Sequence, residues 1–419
     1  MSSHPSAAPS LAVIGAGITG ITTAYSLLRL GYQVTVFDRE AYAAMQTSFA
    51  NGGQLSASNA EVWNSWATIL KGLKWMFTRG APLLVHPAPT WHKLSWMAAF
   101  VANIPHYEEN TITTARLAIA ARHSLLAMAE AEGIDFDCER RGILHVHATK
   151  AEFEAAGRVS TLLAQAGLER RAVTPAEIRS IEPALHGDFH GGWFTPSDFT
   201  GDIHKFTIGL AAACERQGAR LRLGMEVSAL GADASGITVH AAPTDGRNHP
   251  PEAARFDRVV ICGGVGSRRL AAMLGDRLNI YPVKGYSITV DLPDPADQAN
   301  APWVSLLDDR AKIVTSRLGA SRFRVAGTAE FTGENKDIRA ARISPLIGWC
   351  RAHFPGMSTR QVVPWAGLRP MRPNMMPFVG QGRNARVFYN TGHGHLGWTL
   401  SAATAESVAA LIAGQDGKT

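Results

Sequence analysis

Apolar positions at the start of the chain follow three rhythms in succession. Leu11-Ala12-Val13-Ile14 is an unbroken apolar run that predicts a buried strand. Ile21 to Leu30 repeats at helical spacing and stops at Gly31. Gln33-Val34-Thr35-Val36-Phe37 then predicts a second strand, closing on Asp38. Further on, Thr111–Glu132, Lys150–Gly167 and Asp202–Gln217 carry helical patterns, and Thr174-Pro175-Ala176-Glu177 has the form of a capped helix start. Gly142–His147 alternates as a half-exposed strand. Arg220–Leu223 and Gly236–His240 are predicted as strands of a small sheet, followed by a polar loop over Pro243–Pro251. Phe256 to Ile261 is strongly apolar and runs into Gly263 and Gly264, as a buried parallel strand with room for a ligand at its end would. Tyr281–Val290 and pieces of Asp308–Thr328 predict the sheet of a second domain. Arg386–Asn390 is a late strand, and a last helix spans Thr399–Leu411. No repeat of 20–50 residues occurs.

The turn between the first strand and helix carries the sharpest chemistry. Gly15-Ala16-Gly17-Ile18-Thr19-Gly20 places one glycine for the tight turn, one for close approach to a pyrophosphate and one for helix–strand packing. The amides and dipole of the following helix favour negative charge. Asp38, 18 residues beyond Gly20, is placed to accept hydrogen bonds from a ribose. These elements in order predict a bound dinucleotide. Gly392-His393-Gly394-His395-Leu396-Gly397 repeats the glycine spacing, but only 22 residues follow and no further strand can complete the unit. It reads better as a helix N-terminus aimed at a negatively polarised part of a ligand, such as the N1–C2=O2 edge of a reduced flavin. With one dinucleotide site, the cofactor must itself accept and pass on electrons, which favours FAD over NAD. Asp38 also repels the 2′-phosphate of NADP, with Arg39 beside it as a counterweight.

Two other stretches have open readings. Thr47-Ser48-Phe49-Ala50-Asn51-Gly52-Gly53-Gln54 offers hydroxyls and amides to a phosphate or flat ring, or is a plain surface turn. Val62–Tyr107 holds Trp63, Trp66, Trp75, Trp91 and Trp96 with Lys71, Lys74, Arg79 and Lys93, and contains no Asp or Glu. That composition fits a lipid headgroup boundary, or a helical layer with its tryptophans packed inward. Pro82, Pro87 and Pro89 break it into short pieces.

A chain of 419 residues implies two domains, and 46% hydrophobic with 18% charged content is that of a folded protein. The net charge of +6 is dispersed and no nucleic-acid motif is seen, so nucleic acid is not an expected partner. Cys138, Cys214, Cys262 and Cys350 are far apart, without metal-ligand spacing, and read as free thiols in a reducing compartment; no metal is expected. The Ser-, Ala- and Pro-rich first ten residues lack the order of a secretion signal, and no apolar run reaches the roughly 20 residues of a membrane span. The expected location is the cytoplasm, on or off the inner face of the cell membrane.

Four segments together resemble one family. Gly15–Asp38, Thr47–Gln54, Val259–Gly264 and Gly367–Thr399 look like the FAD-dependent amine and amino-acid oxidoreductases of the D-amino acid oxidase and glycine oxidase superfamily. Within it, Thr47–Gly53, Pro282-Val283-Lys284-Gly285-Tyr286 and Gly367-Leu368-Arg369-Pro370-Met371 most resemble bacterial D-amino acid dehydrogenases. The resemblance implies an α/β fold of GR2 type: a Rossmann-like FAD-binding domain plus a substrate domain with a mixed or antiparallel β-sheet and helices. The implied division gives 10–60, 196–280 and 366–415 to the FAD domain, and 61–195 (with a helical layer) and 281–365 to the substrate domain. It implies that Arg369 binds the substrate carboxylate through a guanidinium fork. Tyr286, and Tyr281 with less support, would line the pocket, their alternative being strand packing; the His395 carbonyl would face the amine. A glycine is more usual where His395 stands. Gly394, Gly397, Trp398 and Thr399 would lie near the flavin ring, and Val227, Gly263 and Gly264 would join Gly15, Gly17, Ile18, Thr19, Gly20, Asp38, Arg39, Thr47, Ser48, Asn51, Gly52, Gly53 and Gln54 around the cofactor.

The implied reaction is oxidative deamination of a D-amino acid, with hydride passing from Cα to flavin N5 and the imino acid hydrolysing to a 2-oxo acid and ammonia. The tryptophan-rich stretch favours a quinone or respiratory-chain acceptor, with O2 as the oxidase alternative. Two further readings stand beside this one: an enzyme for L-, cyclic, N-methyl or hydroxyproline-type amino acids, and a flavin-binding subunit or sensor without turnover.

Overall fold

The computed structural model describes residues 8–76, 81–247 and 250–417. The expectations resting on the first seven residues, on Arg79 and on positions 248 and 249 of the polar loop lie outside the described residues.

The opening strand, Ser10–Ile14, is buried almost throughout and sits inside a six-stranded sheet. Its parallel neighbours are Gln33–Phe37 on one side and Arg258–Ile261 on the other. The sheet continues through Arg220–Arg222 at one edge, and through Val387–Thr391 to an antiparallel edge strand, Phe378–Gln381. Continuous apolar runs suit strands covered on both faces. Arg220–Arg222 was expected in the small sheet; instead it pairs with Thr35–Phe37. The small sheet is antiparallel and made of Met225–Ala232, Ile237–Pro243 and Glu252–Phe256.

The first helix is Ile18–Arg29, three residues earlier than its apolar pattern predicts, because Gly17 caps it and Gly20 lies within its first turn. A Cβ on Gly20 would stand 1.8 Å from the Gly15 carbonyl oxygen, so this glycine lets the helix fold back on the strand end. Leu11, Val13 and Ile21 share a core with Leu125 and Met128 of the long helix Tyr107–Glu132 and with Ala402 and Val408 of the last helix, Gly397–Gln415. That last helix, with the turn before it, is long and apolar enough over Gly394–Gln415 to cross a membrane, contrary to the sequence expectation, but 72% of its apolar window is buried in the protein. An apolar helix enclosed on all sides reads the same as a spanning one.

A second sheet of nine strands carries Val362–Met371 at one edge, then Tyr281–Asp291, Arg322–Phe331, Ile313–Leu318, Ser305–Asp308, Ile143–His147, Gly191–Thr195 and Arg171–Val173; Leu83–Val85 also pairs with Arg322–Phe331. Most pairings are antiparallel, as expected for a second domain, but Ser305–Asp308 runs parallel to Ile143–His147. That interior position buries Ile143–His147 completely, where alternation predicted half exposure. Val362–Met371 was not predicted as a strand because Pro364 and Pro370 interrupt it. Prolines are tolerated there because the strand lies at the sheet edge. It also carries residues 366–371 into the larger sheet, while the C-terminal half of Tyr107–Glu132 joins the core under the smaller one.

The proline-broken stretch forms two helices, Trp66–Met76 and Trp91–Ala102. Its tryptophans divide. Trp96 is buried and its Nε1 donates to the Met371 carbonyl at 2.8 Å, whereas Trp66 and Trp91 are 62% and 84% exposed. Lys93 does not face solvent: it is buried, and its Nζ donates to the carbonyls of His86, at 2.6 Å, and Ala88.

Replacing Gly20 with Ala inserts a methyl group where the Gly15 carbonyl already stands. Overpacking of this kind costs about 3 kcal/mol, and a fall of several degrees in Tm on thermal unfolding is the expected result; an unchanged Tm would contradict the close approach.

Candidate active site

A cavity of about 1460 Å³ is lined from both large sheets. On the smaller-sheet side, Gly15 takes φ +116° and passes so near the end of Arg258–Ile261 that a Cβ would lie 2.6 Å from the Cys262 carbonyl oxygen. Gly17 caps the helix without a side chain, leaving its first turn open toward the cavity. Asp38 accepts from the Ala16 amide at 2.6 Å and from the Glu40 amide at 2.9 Å. Burial raises its carboxyl above the ordinary aspartate range, against the lowering effect of those two amides.

The loop 47–54 runs from this turn across to the larger sheet, and most of its polar side chains are committed to protein. Ser48 Oγ accepts from the Ile18 amide at 3.0 Å, and the Thr47 hydroxyl donates to the Leu368 carbonyl at 2.9 Å. Asn51 Oδ1 accepts from the Gly53 amide at 2.9 Å, and Gln54 Nε2 donates to Ser305 Oγ at 2.8 Å. The loop is neither a surface turn nor a row of free ligand donors: Thr47, Ser48, Asn51 and Gln54 fasten it. Three residues unmarked in the sequence complete the fastening. Ser287 Oγ donates to the Ala50 carbonyl, Ser316 Oγ to the Gly52 carbonyl, both at 2.7 Å, and Arg324 Nη1 to the Asn51 carbonyl at 3.1 Å. Gly52 and Gly53 make the close fit possible, since a Cβ on either would lie 2.7 Å from Val314 or Ser316.

Other predicted positions fall as follows. Ile18, Thr19, Val227, Gly263 and Gly264 border the cavity, and the Val227 carbonyl also accepts from Arg269 Nη2 at 3.3 Å. Arg39 borders it too, half exposed and 3.4 Å from Glu40. Gly394 and Gly397 bring the last helix to the cavity wall; a Cβ on Gly394, at φ +60°, would meet Met371 Sδ at 2.8 Å. Trp398 borders the cavity at the first turn of the last helix, with its side chain 2% exposed and edge-on to Phe136. Thr399 is equally buried, its hydroxyl accepting from the Ser56 amide at 3.3 Å. An apolar first turn, enclosed by neighbouring helices, turns these two side chains inward.

Arg369 projects from the edge strand Val362–Met371 and lies across Gly285 of the neighbouring strand. A Cβ on Gly285 would stand 2.3 Å from Arg369 Nη2. Nη1 donates to the Thr328 carbonyl at 2.9 Å, and no ion pair involves Arg369 among the described residues. Its remaining donors open onto the cavity. Desolvation pushes its pKa down to about 10, so it stays charged at neutral pH and lacks an anion. Tyr286 does not present its hydroxyl to the same site. It is 1% exposed, and its OH donates to Glu330 Oε2 at 3.1 Å; strand packing places it there. His395 occupies a short turn, Gly394–Leu396, ahead of the last helix; its ring stacks on Trp63 at 4.7 Å and 23°. Burial, then the charge of Arg369, lowers its pKa to about 4, so the ring is neutral.

A glycine turn at the first strand–helix junction and an unpaired arginine in the same cavity define an enzyme for a dinucleotide cofactor and an anionic substrate. The chain belongs to the DAO family of FAD-dependent oxidoreductases, whose description is "FAD dependent oxidoreductase" and whose profile matches residues 10–411. It is 60% identical over 405 residues to D-amino acid dehydrogenase 3 of Mesorhizobium japonicum, covering 97% of each chain. It is 40% identical to the D-amino acid dehydrogenase of Paramagnetospirillum magneticum, over 96% of this chain and 94% of that one. Among solved structures it resembles glycine oxidase from Bacillus cereus (TM-score 0.71, 20% identity, 97% and 95% covered) and L-proline dehydrogenase from P. horikoshii (TM-score 0.74, 17% identity, 98% and 94% covered), which fixes the fold. The residues present fit FAD. The glycine turn leaves space where side chains would intrude, and the cavity exceeds the roughly 300–1,000 Å³ of a common small-ligand pocket.

Two outcomes follow from this geometry. Gly285→Ala displaces the Arg369 guanidinium without touching its charge, so KM for an anionic substrate should rise at least tenfold in steady-state kinetics, with flavin content unchanged. His393 and His395, lowered to about 3 and 4, bind protons more weakly folded than unfolded. Their contribution is intact above the unfolded pKa near 6.5 and is lost as pH falls toward 4, so melting temperature should drop across that interval.

Proposed function

We propose that this protein is an FAD-dependent D-amino acid dehydrogenase, oxidising the substrate to a 2-oxo acid and ammonia and passing electrons to a quinone-type acceptor at the inner face of the cell membrane. The observation that carries the reading is Arg369, a desolvated guanidinium without a counter-ion that faces the cavity of the glycine turn. A carboxylate supplies the missing charge and two parallel hydrogen bonds, which orient the α-carbon as well as hold it. The names of the relatives, D-amino acid dehydrogenases at 38–60% identity over nearly the whole chain, support the substrate class.

On this reading Gly15, Gly17, Thr19 and the start of Ile18–Arg29 hold the diphosphate, and Asp38 receives the ribose. FAD, when bound, supplies the acceptor for the electron pair leaving Cα. Arg369 fixes the carboxylate end, and the neutral His395 adds no second positive charge to repel an approaching amine. The strands Tyr281–Asp291 and Val362–Met371 form the wall that keeps bulk water from the carboxylate. The segments 10–60, 196–280 and most of 366–415 belong to the cofactor side, in line with the sheet that their strands join.

The acceptor reading draws on the face formed by Trp66–Met76 and Trp91–Ala102. Trp66, Leu70, Leu73, Trp91 and Leu94 are exposed there beside Lys71, while Ile69, Met97 and Phe100 line the cavity behind them. Apolar side chains with a neighbouring lysine suit an anionic lipid surface, and their continuity with the cavity suits a lipid-soluble acceptor.

Mixed anaerobically with substrate, the protein should lose its flavin colour with D-amino acids and keep it with their L-enantiomers. Bleaching confined to L- or cyclic amino acids refutes the reading. Re-oxidation by a quinone-like dye should outpace peroxide formation in air, and the reverse order identifies an oxidase. Arg369→Lys should raise KM about 100-fold while flavin remains bound, since an ammonium cannot supply the fork.

A further inference from the structure

The segment 59–65 leaves the short turn Ala57–Asn59 and runs along the cavity wall. Asn59, Glu61, Trp63 and Ser65 are partly exposed and line the cavity, while Ala60, Val62 and Asn64 are buried behind them. The residues two positions either side of Glu61 both touch His395: the Asn59 carbonyl lies 3.4 Å from its Nε2, and the Trp63 ring stacks on it. Glu61 lies between these two in the chain and lines the same cavity as His395 and Arg369.

Glu61 has an unusual environment. Tyr107 donates its hydroxyl to Oε1 at 2.6 Å, and none of the ion pairs among the described residues includes Glu61. Its neighbour Lys312 is already paired with Asp309 at 2.6 Å, so Lys312 and Lys71 act on Glu61 only at a distance. Desolvation raises the Glu61 carboxyl above its ordinary range. A carboxylate withdrawn from water, holding one neutral donor and no cation, is stabilised most by a cation entering the cavity.

We propose that Glu61 is a specificity-determining residue that receives a cationic side-chain terminus of the substrate, so that basic D-amino acids are preferred. The inference rests on the reading of Arg369 as carboxylate anchor. With the α-carboxylate on Arg369, a long side chain runs past the His395–Trp63 pair, and its terminal ammonium or guanidinium reaches Glu61. The stacked pair forms an aromatic wall suited to an aliphatic stem.

The test compares D-lysine with D-norleucine, which has the same carbon chain and lacks the terminal amine. Wild-type kcat/KM should favour D-lysine by more than tenfold, and Glu61→Gln should lower that ratio by about 10- to 100-fold, the usual cost of losing a bond to a charge. A wild-type ratio near one, or one that Glu61→Gln leaves within threefold, overturns the proposal even if both substrates bleach the flavin, and leaves the D-amino acid dehydrogenase reading intact. If neither substrate bleaches it, perturbation of the flavin spectrum by D-lysine decides: tighter binding by wild type than by Glu61→Gln supports the Glu61 site, and equal or absent binding overturns it. Should Glu61→Gln not retain flavin, Glu61→Asp replaces it. Its retracted carboxylate should shift preference from D-lysine toward the longer D-arginine, and an unshifted ratio overturns the proposal.

Discussion

The cavity exists because the loop 47–54 is fastened at both ends. Ser48 holds the first amide of the helix Ile18–Arg29, and five hydrogen bonds from Thr47, Gln54, Ser287, Ser316 and Arg324 hold the loop against the larger sheet. Each contributes only about 1 kcal/mol of net stability. Their value is geometric. They tie the glycine turn of one sheet to the strands bearing Arg369 and Gly285 in the other, so the cofactor side and the substrate side of the cavity keep a fixed separation. Precise placement of reacting groups is where such a site gains its rate.

The substrate wall has its own brace. Glu330 is fully buried and meets Lys284 at 3.2 Å, Arg339 at 2.5 Å and Arg342 at 2.9 Å, besides the Tyr286 hydroxyl. Arg342 also donates to the carbonyls of Ala81 and Pro82, which brings in the start of Leu83–Val85. A buried group of charges is weak evidence for stability, but it specifies register strongly, because a slip would strand several charges at once. Lys284 and Tyr286 flank Gly285 in sequence, so the brace fixes the one position over which the Arg369 guanidinium can lie. Charge is thus handled in two ways within one strand pair: satisfied on the far side, left open on the cavity side.

The opening βαβ unit was legible in the residues because its rules are local. Strand, turn, helix and acid follow one another within 30 residues, and glycine spacing reports close approach directly. Arg369 was legible only through resemblance, since its partner glycine lies 84 positions away and nothing local ties the two. The protein partners of Thr47, Ser48 and Gln54 were hidden for the same reason. A polar loop looks identical whether its donors await a ligand or hold a distant strand. Tyr286 and Trp398 border the cavity while being almost fully buried, a direction that spacing alone does not give. Val362–Met371 was hidden by prolines that only an edge position permits, a property of sheet order rather than of the segment itself.

His395 shows how one residue can alter a cavity without taking part in its chemistry. Family resemblance leads one to expect glycine at this position, in the turn before a helix that faces the cofactor side. The imidazole here fills that space, stacks on Trp63 and leans on the Asn59 carbonyl, so it converts an open corner into a wall between Arg369 and the segment 59–65. Burial keeps the ring neutral, so the wall is aromatic and uncharged at physiological pH. On the proposed reading of Arg369 as carboxylate anchor, a substrate extends its side chain along that wall rather than into it. The length of its side chain, more than its bulk near the α-carbon, decides what it meets at the far end.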